Sequence, residues 1–501
     1  MYFFPKIFRN FFGCSGGVLV AVIVLLTVAG CRDRSAIPDP VDSFTPSGEE
    51  HVRELGIYTG KDRVGDLRLG RTNGDWQGAG PVVQLSEKIH LRLSFRGDRF
   101  SITSSQTSWV GEGMDLISSV GNMDFGAGSW ETRVLKVKDG VYEREQVTAG
   151  SRNRDRVTVP EGILISDVLP MYFKNLQIEK YAKLKLNVFN MTLGQEFPLT
   201  LEYRGATENG RLFAVTYWGM EERIWIDATG MVVREDMVLG VNARTPEGKE
   251  QVGHLALETI LSQTAVPGMR IPEDLGERDE AVVVLEGSFR PPPEGRWQRV
   301  SVSDERAEVT LIKPSIPSPG QRLPDMDQMP EDVFGLDLDS PRIRELSMKI
   351  AGSLDDPWEK ALAIGRWVNS ELGKSMRECF SALQVLETGE GECQSHSLLT
   401  VSLCRAAGLP ARFAYGVVYL PDREAFGFHT WVQVHVGDWI PMDPTLGNFP
   451  AGVDHLTLAV GGYQDQFRLF PFIMGKGGWR ISMGEADTET RRHGDAEKAR
   501  N

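Results

Sequence analysis

The chain has 501 residues, of which 41% are hydrophobic and 25% are charged, and this composition is typical of globular proteins rather than disordered chains. Its length is sufficient for two or three domains. The formal net charge is −14. Because a surface that binds nucleic acid needs clustered Lys and Arg to neutralise phosphates, we expect no nucleic-acid partner.

The N-terminus has the organisation of a bacterial signal peptide. Lys6 and Arg9 form a positive region, an apolar run follows over residues 18–28, and small residues precede Cys31. The sequence Val-Ala-Gly-Cys resembles a bacterial lipobox, which implies cleavage before Cys31 and lipid on its thiol. An uncleaved membrane anchor is the alternative, because residues 11–30 carry no charge and reach the ~20 residues that a bilayer requires.

Both alternatives place the body of the chain outside the cytoplasm. We expect a membrane-anchored lipoprotein on the periplasmic side of a bacterial cell envelope. Residues 32–48, rich in Asp, Pro and Ser, are typical of a flexible tether.

The next region, from about residue 50 to 275, has the period of β-strands. Residues 90–105 alternate apolar and polar side chains around a turn, and residues 199–240 contain several such runs between Gly- and Asn-containing turns. The pattern predicts an antiparallel, β-rich domain. It contains no nucleophile elbow, phosphate-binding loop or zinc spacing, so we expect a scaffold or substrate-positioning role.

Prolines then interrupt the chain over residues 290–324, and we predict the domain boundary there. Beyond it, the pairs Ser340-Pro341 and Asp356-Pro357 each combine a capping side chain with a proline at the first helical position, which predicts two helix starts. Two acids of this stretch, Asp325 and Asp327, lack the glycine and the spacing of a calcium loop. We therefore interpret them as a solvated acidic surface and expect no metal.

Cys393 lies at the predicted start of a buried helix. The residues from 393 to 407 are apolar on more than one face, and Gly408 and Pro410 end the helix. A thiol at a helix N-terminus has a lowered pKa and becomes a nucleophile at neutral pH. A packed, inert cysteine is the alternative, because free cysteine is a small apolar residue.

Two strands and a return follow this helix. Residues 411–420 and 428–436 have the pattern of strands, and the second carries His429. After a turn at Gly437-Asp438, the chain returns through a segment that contains Asp443. The sequence thus presents a cysteine on a helix, a histidine on a strand and an aspartate on the next strand.

The register of this turn decides whether Asp443 faces His429. A two-residue turn at Gly437-Asp438 pairs Asp443 with Val432, on the opposite face of the sheet. A three-residue loop pairs Asp443 with Gln433, on the face of the histidine. Because prolines in the returning strand disfavour a regular ladder, we expect a bulge or an irregular end that keeps the site intact.

Four motifs follow one another in a fixed order: GEC at 391–393, RAAGLPAR at 405–412, HTW at 429–431 and WIPMDPT at 439–445. With these motifs the chain resembles the bacterial transglutaminase-like superfamily over roughly residues 330–475. This resemblance implies a fold similar to papain-like cysteine peptidases, with Cys393 as nucleophile, His429 as base and Asp443 as the residue that orients the base. The usual aspartate before the cysteine is replaced by a glutamate.

Four further residues in this region could take part in the site or in a disulfide. We expect His396, one turn after the nucleophile, to pack in the helix or to support the site, and Trp431 to pack beside it. Cys404 lies roughly 16 Å along one helix from Cys393, too far for a disulfide. A bond between Cys379 and Cys404 stays open as an alternative and leaves Cys393 free.

The sequence as a whole predicts a multidomain α+β protein, in which an N-terminal antiparallel β-rich domain precedes a transglutaminase-like domain with a central Cys-bearing helix against an antiparallel sheet. The predicted function is a thiol enzyme without a cofactor that acts on peptide or side-chain amides of a protein or peptide substrate through a thioester, with hydrolysis favoured over amine transfer. The alternative is a catalytically idle peptide- or cell-wall-binding module with a scaffold role. The predicted boundaries are 1–31 for the signal peptide and lipobox, 32–48 for the tether, 49–280 for the β-rich domain, 281–329 for the Pro-rich connection, 330–480 for the transglutaminase-like domain and 481–501 for a polar tail.

Overall fold

A computed structural model provides the fold. The signal-peptide residues Lys6 and Arg9, the lipobox Cys31, and Asp325 and Asp327 lie outside the described residues, so the expectations attached to them stay predictions. No helix within the described part is long and apolar enough to cross a bilayer. The described residues are 37, 40–95, 98–124, 129–148, 152–191, 195–217, 220–237, 240–248, 250–256, 266–269, 271–287, 291–303, 306–316, 335–375, 379–469 and 479–484.

The N-terminal half of the described chain is a long and mainly antiparallel sheet. Each strand from β2 to β9 pairs with the next one along the chain, β11 to β16 do the same, and β16 pairs with β2 to join the two series. One short helix, α1 (Leu169–Asn175), lies between β10 and β11. The strands are β1 (Phe44–Pro46), β2 (His51–Thr59), β3 (Asp62–Trp76), β4 (Gly80–Phe95), β5 (Asp98–Gly111), β6 (Leu116–Asp124), β7 (Ser129–Lys138), β8 (Val141–Thr148), β9 (Arg152–Thr158), β10 (Leu164–Ile165), β11 (Lys183–Asn190), β12 (Gln195–Thr207), β13 (Gly210–Tyr217), β14 (Met220–Ile226), β15 (Val232–Asp236), β16 (Val241–Arg244) and β17 (Leu255–Ala256).

Alternation of side chains explains this sheet. In β3, Leu67 and Leu69 point into the core while Arg68 between them is exposed, as the period of two requires. Leu67 pairs with Ile89 of β4, which is also buried. The predicted tether is shorter than expected, because Phe44 packs against Trp109 with ring centroids 6.3 Å apart and its strand, β1, pairs with β3.

A second sheet forms the C-terminal half. Its strand order is β20-β21-β19-β28-β18-β25-β24-β27, and β26 lies beside β25. Two short strands, β22 (Gly373–Lys374) and β23 (Glu390–Gly391), pair separately. The strands of the second sheet are β18 (Val266–Met269), β19 (Glu280–Glu286), β20 (Gln298–Ser303), β21 (Arg306–Ile312), β24 (Ala411–Leu420), β25 (Ala425–His435), β26 (Trp439–Met442), β27 (His455–Gly461) and β28 (Arg480–Met483).

This sheet corrects the expected limits of the C-terminal domain. The segment predicted as a Pro-rich connection supplies β20 and β21, and β18 comes from the region assigned to the β-rich domain. Residues 481–483 of the predicted tail belong to β28. The physical reason is that these short runs are apolar on one face: Val283 and Leu285 of β19 are fully buried against the sheet core. Pro291, Pro292 and Pro293 lie between β19 and β20 of this one sheet.

The helices of the C-terminal half pack on this sheet. Both predicted helix starts are confirmed, at Pro341 and Pro357, and the Asp356 carboxylate accepts a hydrogen bond from the Glu359 N–H. The central helix, α5, is buried along nearly its whole length, as its apolar pattern predicts. The helices are α2 (Pro341–Ala351), α3 (Pro357–Glu371), α4 (Ala382–Thr388) and α5 (Cys393–Ala406).

Candidate active site

The predicted nucleophile and base lie on neighbouring elements. Cys393 is the first residue of α5, and His429 lies in β25. The hydroxyl of Ser397, one turn after the cysteine, donates to the carbonyl of Thr430 over 3.1 Å. This bond fixes the first turns of α5 against the part of β25 that carries His429. Both Cys393 and His429 are buried.

Among the described residues, the part of β25 that contains His429 pairs on one edge. β18 pairs with the beginning of β25, at Ala425 and Phe426, and β26 pairs with its end, from Val432 onward. On the other edge, Gly416 of β24 is the residue opposite His429.

The structure brings His429 and Asp443 together. Nε2 of His429 lies 2.7 Å from Oδ2 of Asp443, and both side chains are inaccessible to solvent. With Asp443 ionised, Nε2 carries the proton and donates it, so Nδ1 is the ring nitrogen that can accept a proton from a thiol. The structure thus contains a contact between His429 and Asp443, and their roles as base and orienting carboxylate stay predictions.

The hairpin register explains how the two residues meet. β25 and β26 pair through His435 and Trp439, so three residues connect them, as the second of the two sequence alternatives requires. One residue beyond the last pair, Asp443 stands opposite Trp431 rather than the predicted Gln433. The predicted partner is wrong by two residues, but two residues is one full period of a strand, so the predicted face is correct.

Asp443 is ionised although it is buried. Its Oδ1 accepts hydrogen bonds from the backbone N–H groups of Thr445, at 2.8 Å, and Leu446, at 3.0 Å. Burial alone raises the pKa of this carboxyl group, but its interactions with His429, followed by those with His455, outweigh burial and hold the pKa well below its ordinary value. A fixed anion at this position selects the tautomer of His429.

A second histidine, His455, completes the buried network. Its Nε2 lies 3.1 Å from Oδ2 of Asp443, and its Nδ1 lies 2.8 Å from Oδ1 of Asp454. Burial lowers the pKa of this imidazole, but the charge of Asp454 and the hydrogen bonds to both carboxylates outweigh burial and raise the pKa to about 10. His455 is therefore an imidazolium ion at neutral pH, held between two carboxylates.

Trp431 packs beside the site, in the position expected from its strand. Its ring stacks with His429, with centroids 6.1 Å apart, and meets His455 edge-on at 5.1 Å. Gly416 leaves room for the indole, since a Cβ atom there would lie 2.9 Å from the ring and 2.0 Å from the carbonyl oxygen of Leu456. The indole is fully buried and restricts the imidazoles to their observed orientations.

His396 supports the helix rather than the triad. Its Nδ1 lies 2.9 Å from the carbonyl oxygen of Glu392 in the preceding turn, and the ring is buried. Burial is the main influence on its pKa, which is lowered, so the imidazole is neutral near pH 7. This position agrees with the helix-packing role that the sequence favours.

Glu392 links the helix cap to the thiol. Its carboxylate accepts hydrogen bonds from the N–H groups of Gln394, at 2.9 Å, and Ser395, at 3.2 Å, and so caps α5. The thiol of Cys393 donates to the same carboxylate over 3.1 Å. In this state the cysteine is protonated, and its proton has to leave before the sulfur can attack a carbonyl group.

Cys379 and Cys404 are structural, and they do not form the disulfide that the sequence left open. Both are buried free thiols. Cys379 contacts the hydroxyl of Thr388 over 3.3 Å, and complete burial raises the pKa of Cys404 to about 12. Neither thiol is suited to act as a nucleophile.

Among the described residues, one cluster of side chains could supply the ligands of a metal ion, and it overlaps this site. The ligand atoms of His429, Asp443 and His455 lie within 4.8 Å of one another, and these residue types bind zinc. However, each Nε2 lies at hydrogen-bond distance from one shared oxygen, 2.7 and 3.1 Å, whereas two ligands about 2.1 Å from a tetrahedral zinc ion lie about 3.4 Å apart. The group is organised as a hydrogen-bonded network.

Sequence reasoning missed His455, Asp454 and the contact between Glu392 and the thiol. The apolar run after His455 indicates a strand, but its face and neighbours depend on its pairing with β24, which no local pattern specifies. Glu392 had a local signal, since a negative charge is favourable directly before a predicted helix start.

Comparison with known proteins identifies part of the chain. Residues 344–444 match the model of the transglutaminase-like superfamily, which confirms the predicted resemblance and shows a transglutaminase-like domain. The uncharacterized protein ML0607 of Mycobacterium leprae (strain TN) is 27% identical over 147 residues, which are 27% of this chain and 52% of that protein. The chain thus spans about half the length of this curated relative.

Two solved structures are similar at a low level. A protein of Cytophaga hutchinsonii, provisionally described as a cysteine protease, is 16% identical with a TM-score of 0.27, over 40% of this chain and 80% of that chain. A provisionally described protease of Parabacteroides distasonis ATCC 8503 is 13% identical with a TM-score of 0.18, over 65% of this chain and 63% of that chain.

Proposed function

Because the chain carries a transglutaminase-like domain at residues 344–444, we propose that it is a thiol enzyme that acts on peptide or side-chain amides through a thioester on Cys393. The observation that carries this proposal is the buried contact of 2.7 Å between His429 and Asp443, next to the helix start that bears the cysteine. A hydrogen bond to a carboxylate fixes the tautomer and the orientation that a general base needs.

In the first half of the proposed reaction, the thiol proton moves to Nδ1 of His429 and the sulfur attacks the carbonyl carbon of the amide. The carbon–sulfur bond forms while the carbonyl π pair moves onto oxygen. When the tetrahedral intermediate collapses, the C–N bond breaks and His429 returns the proton to the leaving amine. Asp443 stabilises the imidazolium ion that exists between these two transfers.

In the second half, an acceptor resolves the thioester. Water, deprotonated by His429, gives a carboxylic acid and restores the thiol, whereas an amine gives a new amide. We propose hydrolysis as the main outcome, because water needs no binding site of its own, while transfer requires the protein to bind a second substrate. We also propose that the enzyme acts on the periplasmic side of the cell envelope, with lipid on Cys31 as its membrane anchor.

The test incubates the full chain with a mixture of peptides of natural sequence in the presence of methylamine, and identifies the products by their masses. Mass spectrometry distinguishes new peptide termini, conversion of Gln to Glu and incorporation of methylamine, which report peptidase, amidase and transferase activity. We expect new termini or Gln-to-Glu conversion, both lost in Cys393→Ala. Cys404→Ala is the matched control, because it removes another buried thiol of the same helix.

Products that persist unchanged in Cys393→Ala would contradict the proposal. If no product forms although the chain binds peptides, the catalytically idle binding module takes its place. Predominant incorporation of methylamine would retain the thioester but replace hydrolysis by transfer.

A further inference from the structure

A cleft of about 240 Å³ adjoins the candidate site. We call it the tryptophan cleft, because Trp431, Trp297 and Trp439 line it. Trp431 and His455 are among the lining residues. The ring of Trp431 stacks on His429, and His455 contacts the carboxylate of Asp443. Gln433, two positions after Trp431 on the same face of β25, also lines the cleft. A ligand in the cleft thus lies along the same strand as the predicted base.

Of the cationic side chains that line the tryptophan cleft, two have carboxylate partners and one has none among the described residues. Arg296 pairs with Asp438 over 3.0 Å, and His455 lies between its two carboxylates. Glu294 is exposed at the rim. Arg412 is different: its Nε donates to the amide oxygen of Gln433 over 2.9 Å, and no carboxylate among the described residues forms an ion pair with it.

Arg412 is also held rigidly. Its guanidinium group lies over the ring of Trp439, 4.0 Å from the centroid, which is the geometry of a cation–π contact. Burial lowers its pKa to about 10, so the group remains charged at neutral pH. A partly buried cation without a carboxylate partner is costly, and its fixed planar fork matches a carboxylate.

We propose that Arg412 binds a carboxylate of the peptide substrate, so that the tryptophan cleft selects acidic peptides. This inference rests on the proposed thioester chemistry at Cys393. Arg412 of β24 stands opposite Gln433 of β25. Gln433 lies four positions after His429 on β25, which is a distance of about 13 Å at about 3.3 Å per residue. An extended peptide covers this distance with about four residues. The recognised carboxylate is therefore three to five residues from the amide that reacts, as a Glu or Asp side chain or as a terminal carboxylate.

The other wall of the cleft comes from outside the transglutaminase-like match. Nε1 of Trp297 donates to the carbonyl oxygen of Trp439 over 3.1 Å. The amide of Gln298 bonds to both the N–H and the carbonyl of Thr457, each over 2.9 Å. These bonds fix the segment that leads into β20 against the sheet, so the selectivity is a property of this chain and not of residues 344–444 alone.

Binding without turnover tests the inference. The full chain with Cys393→Ser is titrated with capped alanine-based octapeptides that carry a single Glu, or a single Gln, at successive positions, and the change in tryptophan fluorescence gives Kd. A third series keeps a free C-terminal carboxylate without an acidic side chain. We expect one Glu position, or the free terminus, to bind at least about tenfold more tightly than its Gln or amidated equivalent, with a preference that weakens as salt is raised.

Arg412→Gln should remove this preference and leave the Gln peptides unchanged. Arg296→Gln is the matched control: Arg296 also lines the cleft and lies over a tryptophan, 5.0 Å from the centroid of Trp297, but its charge is already paired. Arg412→Lys should restore part of the preference. Glu and Gln peptides are also compared on the Cys393→Ser chain that retains Arg412. This comparison remains valid even if Arg412→Gln unfolds the protein.

Three results would overturn the inference. The first is equal affinity for Glu and Gln peptides, and the second is no binding of any acidic peptide up to about 1 mM. The third is that Arg412→Gln weakens the binding of Glu peptides and of Gln peptides by the same factor. The last result would make Arg412 a structural residue that supports Trp439. Because these measurements need no turnover, a preference for Glu peptides together with an inactive Cys393 would separate failure of the proposed chemistry from failure of the cleft assignment.

Discussion

His455 donates through Nε2 to Oδ2 of Asp443 over 3.1 Å, in a site that solvent hardly reaches. Two carboxylates hold this imidazole in its charged form and raise its pKa to about 10, against the opposing effect of burial. The carboxylate that orients the base is therefore itself oriented by a permanent cation. This arrangement fixes Asp443 from two sides and partly neutralises its charge.

The first prediction concerns stability at alkaline pH. A histidine whose pKa rises on folding stabilises the folded state fully below its unfolded value of 6.5 and loses this effect as pH rises toward 10. We expect the free energy of unfolding to fall by about 1.4 kcal/mol per pH unit within this window. Urea denaturation at several pH values measures the slope, and His455→Gln should flatten it.

His435→Gln is the control for this slope. Burial is the main cause that lowers the pKa of His435, so its contribution to stability is present at neutral and alkaline pH and is lost as pH falls. Its substitution should leave the alkaline slope unchanged. An identical slope in the unsubstituted chain and in His455→Gln would contradict the assignment of His455 as a buried cation.

The second prediction concerns the reactivity of the cysteines. We expect iodoacetamide to alkylate Cys393 near pH 7 much faster than Cys404, since burial raises the pKa of Cys404 to about 12. His429→Ala should slow alkylation of Cys393 by up to about 30-fold, because a thiol with an ordinary pKa of about 8.5 is only about 3% ionised at pH 7. Asp443→Ala should slow it less, since Asp443 orients the base.

Rates against pH, measured by peptide mapping, give the test. If Cys393 in the unsubstituted chain and in both variants titrates like an ordinary thiol, the cysteine is a core residue, and the binding-module alternative is favoured.

The third prediction concerns Glu392, whose carboxylate accepts a hydrogen bond from the Cys393 thiol over 3.1 Å. A carboxylate at this distance repels a thiolate by at least about 1 kcal/mol even in water, or about fivefold in the ionisation equilibrium. Glu392→Gln should therefore speed alkylation of Cys393 at pH 7 by at least about fivefold, while the amide oxygen still caps the helix. Glu387→Gln, which removes an exposed carboxylate of α4, should have no effect. Slower alkylation in Glu392→Gln would mean that the carboxylate instead assists removal of the proton.

The fourth prediction concerns the folding unit. The sequence predicts that a fragment from about 325 to 480 folds alone, but this fragment lacks β18 to β21 and β28, which belong to its sheet. We expect a fragment of residues 266–484 to be soluble with a cooperative thermal transition, and a fragment of residues 325–484 to aggregate. Circular dichroism and size-exclusion chromatography measure both. Equal behaviour of the two fragments would show that the added strands are dispensable.

The fifth prediction concerns the N-terminal segment, which lies outside the described residues. If the chain is a lipoprotein, Cys31→Ser should abolish incorporation of labelled fatty acid and leave either an unprocessed precursor or a released form. Cys14→Ser, in the same segment, is the control. Unchanged labelling in Cys31→Ser would favour the uncleaved anchor.

The sequence by itself determined the features whose signals are local. A polar residue followed by proline indicated the starts of α2 and α3, because a proline at the first helical position acts on the first turn alone. Alternation indicated β24 and β25, since side chains of a strand point to opposite faces in turn. The motif around Cys393 indicated the helix that carries it, and its similarity to a known family indicated the roles of three residues.

Only the tertiary structure decided which distant segments meet. Asp443 faces His429 because the β25–β26 loop contains three residues, a choice between two turns that differ little in local energy. His455 reaches Asp443 because β27 pairs with the far edge of β24, and β19 and β20 join one sheet although three consecutive prolines, at 291–293, lie between them. Strand pairing is a contact between segments far apart in the chain, so its register depends on which buried faces fit together, and that fit exists only once the whole sheet has formed.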